Sequence, residues 1–73
     1  MSNSKIIELI QSSLSKRELS FLNEINKIQD SESRHVQLRS FFHEQEVFDK
    51  IKSISDPAWL SYEIFIKGKN YEF

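Results

Sequence analysis

The residues with the best claim to chemistry stand together at His43-Glu44-Gln45-Glu46-Val47. His followed by Glu is how a zinc-protease helix begins, and the second His must fall four residues on to reach the metal from the same face. Position 47 is Val, so that ligand is missing. His43 and Glu46 share a helix face, with Asp49 beyond them and His35 two turns earlier and too distant to join them. Zinc needs four ligands, or three and a water. A solvated charged face explains these residues without a metal. Ser, His and Asp are all present, but no Ser lies in the glycine-flanked strand-turn-helix context of a nucleophile. Gly68 is the only glycine and cannot make a phosphate loop by itself. No enzyme class and no cofactor is supported, and a chain of 73 residues offers little wall for a catalytic pocket.

A second constellation is basic and aromatic. Lys67, Lys69 and Asn70, with Tyr62 and Tyr71 nearby and Lys50 and Lys52 upstream, form a candidate nucleic-acid patch. The net charge of −1 gives it no strong electrostatic footprint. A helix-turn-helix is rejected, because its second helix would be too long and would open on Asp30 and Glu32, which repel phosphate.

The third constellation is apolar. Trp59, Tyr62, Phe65, Tyr71 and Phe73 crowd the last fifteen residues. Their ordinary role is to close a small core. Their functional role is a protein-binding surface, since Trp and Tyr are the usual interface anchors. Phe42 joins them, because a helix cannot easily bury both Phe41 and Phe42 on one neighbour.

The elements that position these groups are helical. Asp30 to Ser55 contains no Pro or Gly and reads as one long helix, with Asp30, Ser31 and Ser33 as candidate caps and Glu32 in the first turn. Leu38, Phe41, Phe48 and Ile51 supply an apolar face, and Val47, Ile51, Ile54 and Ala58 continue it as it drifts around the axis. Such a helix would be roughly 36 Å long. It is the expected centre of the fold. A first amphipathic helix follows possible caps at Ser2, Asn3 and Ser4, with Ile6, Ile7, Ile10 and Leu14 inward and Leu9 at the edge. Ser15-Lys16-Arg17-Glu18 fits the capping box, with Leu14 and Leu19 placed as a hydrophobic staple. The second helix therefore starts at Lys16. It carries Leu19, Leu22, Ile25 and Ile28 inward and ends near Gln29. A short connection then makes a helical hairpin with the central helix.

Asp56-Pro57 is a firm start signal, and Gly68 after Lys67 reads as a left-handed terminator, so a further helix spans Pro57 to Lys67. The alternation of Leu60, Tyr62, Ile64 and Ile66 with Ser61, Glu63, Phe65 and Lys67 supports a competing β-hairpin, returning through Tyr71-Glu72-Phe73. An isolated hairpin is barely stable, which favours the helix.

The expectation is a single all-α domain over residues 1–73, with three or four helices around one long central helix. A chain of this size buries only about 60% of its unfolded surface, so stability is marginal and a homodimer is favoured. The chain has no cysteine, which suits the cytoplasm. The start carries no secretory pattern, and apolar runs stay too short to span a membrane. Composition dominated by Ile, Ser, Lys, Phe, Asn and Glu fits an A/T-rich genome, such as those of some bacteria, phages or mobile elements. The residues identify no family. The functional expectation is a small non-enzymatic protein that regulates or inhibits a larger protein by occupying its surface. Phe42, Trp59, Tyr62, Phe65, Tyr71 and Phe73 would carry the binding. The alternative is a transcription or nucleoid regulator using Lys50, Lys52, Lys67 and Lys69.

Overall fold

The computed structural model describes residues 3–68, 71 and 73. Five helices lie among them: α1 (Asn3–Ser13), α2 (Lys16–Asn26), α3 (Ser31–His43), α4 (Gln45–Ile51) and α5 (Pro57–Lys67). The all-α expectation therefore holds for the described residues. None of these helices is long and apolar enough to cross a membrane. α3 packs chiefly on α5 and then on α2 and α4, while α1 leans on α4.

The helix starts follow from local chemistry. Ser15 Oγ accepts from Glu18 N at 3.1 Å, and the Glu18 carboxylate accepts from Ser15 N at 2.8 Å, so both halves of the capping box form. Asp30 accepts from Ser33 N at 2.9 Å and Asp56 from Ala58 N at 3.0 Å. These hydrogen bonds satisfy amides that a helix start leaves without intrahelical partners. The capping expected of Ser2, Asn3 and Ser4 falls on side chains outside those described. α2 ends at Asn26, one turn earlier than Gln29.

The single long helix does not form. Glu44 adopts extended backbone, φ −65° and ψ 139°, and separates α3 from α4, while a turn over 52–54 ends α4 well before Ser55. The reason lies in the phase of the apolar residues. Val47 stands nine residues after Leu38, and at about 100° per residue this is half a turn out of phase. A straight helix burying Leu38, Phe41 and Phe42 would point Val47 and Ile51 at solvent. The break at Glu44 resets the phase, and all five become buried. A straight rod of roughly 36 Å would also overrun a molecule measuring 30 × 26 × 21 Å.

Three further corrections concern single residues. Phe42 is fully buried, so neither phenylalanine of the Phe41-Phe42 pair faces outward. Their rings meet edge to face at 5.0 Å, and α3 can bury both because it has neighbours in α2, α4 and α5. Gly68 is right-handed, φ −55°, and no described glycine has positive φ. Its lack of a side chain matters for space: a Cβ there would stand 2.8 Å from Asn26 Oδ1. His35 is not a free surface residue, because its ring stacks on Phe65 at 4.5 Å.

Residues 60–66, which alternate like a strand, are helical throughout. Buried Pro57, Leu60 and Ile64 share one face with spacings of three and four. The return strand of the hairpin alternative falls partly on Glu72, outside the described residues. Tyr71 N donates to Gly68 O at 3.1 Å, and the Asn23 amide donates to Phe73 O at 2.9 Å while accepting from Phe73 N at 3.1 Å. That paired contact fastens residue 73 to α2 as a neighbouring strand would.

Candidate protein-binding surface

α5 is built to be apolar on two sides. Inward, Leu60 and Ile64 enter the core, and buried Ser61 satisfies its hydroxyl by donating to Ala58 O at 3.0 Å. Outward, five of its residues are exposed: Ala58, Trp59, Tyr62, Ile66 and Lys67. The first four lie within an arc of about 100°, at 3.6 residues per turn. Trp59 is 36% exposed, Tyr62 56% and Ile66 57%. Spacings of three and four place these large side chains in one row along the helix. Ala58 beside them leaves a shallow step. A surface helix normally turns charge to water, and one that is apolar all round is normally buried. The outside of α5 departs from that pattern.

α5 itself carries two charged side chains, Glu63 and Lys67, and both lie off the row. Lys67 bends onto Glu63 at 2.9 Å, and that carboxylate holds the Lys67 ammonium above the usual lysine range by hydrogen bonding and by charge. Asp56 stands at the opposite end as the cap of α5. Phe65 flanks the row, half buried, with the Arg34 guanidinium 5.2 Å from its ring centre and His35 stacked on it.

Of the residues expected to bind protein, the fold brings Trp59 and Tyr62 together on this outer row. Phe65 is placed at its margin. Tyr71 and Phe73 are half buried and pack against the core, and Phe42 lies wholly within it. Ile66 belongs to the row and lies outside the expected set. Its signal was in the sequence, because 59, 62 and 66 carry the helical spacing of three and four. The strand alternation over the same residues hid it. Phe21 on α2 also lies outside the expected set. It is 54% exposed and stacks on Phe41 at 5.9 Å above a cleft of about 230 Å³ rimmed by Arg17, Glu44 and Glu46.

The lysines of the nucleic-acid alternative are not gathered in one patch of free charge. Lys50 pairs with Glu18 at 2.7 Å, Lys52 with Asp49 at 3.4 Å and Lys67 with Glu63. Lys69 lies outside the described residues. His43 Nδ1 lies 2.8 Å from its own helix at Arg39 O, and no group of three or more potential metal ligands gathers among the described residues. Compared with family models, with characterised proteins and with solved structures, the chain matches none.

Proposed function

We propose that this protein is a non-enzymatic interaction module whose outer α5 row, Trp59, Tyr62 and Ile66, docks on protein. Occupying that protein's surface is the means by which it regulates or inhibits. One observation supports the reading above the others: four of the five residues that α5 turns to solvent are uncharged, and three of those four are large. An exposed apolar row of large side chains is a common feature of interaction sites. Aromatic anchors there bring large contact area at low cost in side-chain entropy. The cysteine-free composition suits a reducing compartment, and we place the module in the cytoplasm.

The test is positional. A photo-crosslinking amino acid replaces Tyr62 in one variant and exposed Gln37, on α3, in another. Irradiation in the host cell is expected to yield discrete protein adducts from position 62 and none from position 37. Equal labelling from both positions would remove the α5 row as the binding face.

A further inference from the structure

The cleft beside Phe21 gathers apolar surface and unpaired charge around one space. We propose that it receives an arginine side chain presented by a protein partner. The cleft is formed by α2, α3 and α4, and none of Trp59, Tyr62 and Ile66 lines it. The inference therefore stands apart from the α5 row. Three features support it.

The first is the floor. Phe41 and Val47 are buried beneath it, while Phe21 stacks on Phe41 and stays largely exposed. An aromatic ring left to solvent attracts a guanidinium, and the stem of that side chain covers apolar surface beside it. The molecule makes the same contact within itself, with Arg34 5.2 Å from the ring centre of Phe65. The second is the charge on the walls. Glu44 and Glu46 line the cleft from the start of α4. The Glu44 side chain makes no capping hydrogen bond, and neither carboxylate has an ion-pair partner among the described residues. Glu18, also at the cleft, is already held by Lys50 and the Ser15 amide. Arg17 lines the same cleft and pairs with none of them among the described residues, so two unpaired carboxylates face one cation. A guanidinium is a planar fork of five donors that two carboxylates can share, whereas an ammonium is a point charge. The third is size. About 230 Å³ falls below the roughly 300–1,000 Å³ of small-molecule sites and suits one long side chain. Arg17 answers part of the negative charge, so it competes with the incoming guanidinium.

The probe is arginine blocked at both ends, as its N-acetyl methylamide, and the readout is the amide NMR spectrum of the isotope-labelled full chain. Titration to tens of millimolar is expected to shift the backbone amides of Phe21 and Val47 saturably. The citrulline counterpart has nearly the same shape but no charge. It should bind about tenfold more weakly or worse, because hydrogen bonds to charged groups carry that much affinity. Glu44→Gln combined with Glu46→Gln should weaken arginine by about tenfold for the same reason. Arg17→Gln should tighten it roughly two- to fivefold, the range of an exposed ion pair. All three positions are exposed, and the spectrum of each variant reports its fold directly. Citrulline binding as tightly as arginine, or no saturable shift, overturns the proposal. Weakening by Arg17→Gln with tightening by the glutamate variants overturns it in favour of an anionic side chain. Free arginine should bind no better than the blocked form. A clear preference for free arginine would mark a metabolite site and overturn the protein source.

Discussion

A methyl group at position 68 would stand 2.8 Å from Asn26 Oδ1, closer than side-chain atoms tolerate. The Asn26 amide is buried, and neither its oxygen nor its nitrogen has a hydrogen-bond partner among the described residues. Gly68 is therefore selected by the space it leaves and not by its backbone angles, which any residue can adopt. Gly68→Ala must turn the end of the Asn26 side chain aside and should cost about 1 kcal/mol, the low end of overpacking. In an Asn26→Ala background the same change should become neutral or favourable by up to about 1 kcal/mol, since Ala restricts the unfolded chain more than Gly does. Urea unfolding of the four proteins measures the coupling. Additive effects would show that Asn26 is not what excludes a side chain at 68.

At the scale of elements, the break at Glu44 decides the shape of the molecule. Gln45 opens α4, and Glu44 before it is extended. Proline fits the first helical position, and it pushes the preceding residue towards the extended conformation. Gln45→Pro should therefore leave the thermal midpoint within a few degrees of the parent. It forgoes one hydrogen bond from Gln45 Nε2 to Asp49, at 2.9 Å. In one continuous helix the same substitution would cost about 3 kcal/mol or more. A thermal melt separates the two cases, because 1 kcal/mol moves the midpoint of a domain this size by roughly 4–8 °C.

At the scale of the whole molecule, Glu18 ties α2 to α4 through Lys50. Burial pushes the Glu18 carboxyl up, but hydrogen bonds from Lys50 and from Ser15 outweigh it and hold the group below its usual range. A carboxyl lowered by folding adds stability that is complete above its ordinary value of 4.5 and is lost as the pH falls through its folded value. The Asp30 carboxylate is lowered by hydrogen bonds from Ser33, and Asp49 by one from Gln45, so all three act in the same direction. The parent should lose stability steadily below pH 4.5. Glu18→Gln, which keeps an acceptor for the Ser15 amide but carries no charge for Lys50, should show a shallower fall. Urea midpoints from pH 7 to pH 3 test this, and parallel curves would remove Glu18 as a contributor.

The starts of α2, α3 and α5 were legible from Ser15, Asp30 and Asp56, because a cap is a contact between residues two or three apart. The α-helical class and the inward sides of α1 and α2 were legible for a similar reason, since helical periodicity is local. The candidate site was legible in part. Trp59 and Tyr62 were named from residue type, and Ile66 was recoverable from spacing. Tertiary structure decided the rest. Whether Phe42 faces water depends on α3 having neighbours on more than one side. Whether Gly68 serves angle or space depends on Asn26, forty-two residues away. Glu44 could be read as helical by propensity, and only the demand that Val47 and Ile51 join Leu38 in one core forces it out. The row on α5 is uncharged in the sequence, but only packing shows which side of that helix is left uncovered. Local chemistry thus chose the helices, and the burial of one shared core chose where they bend and what they leave exposed.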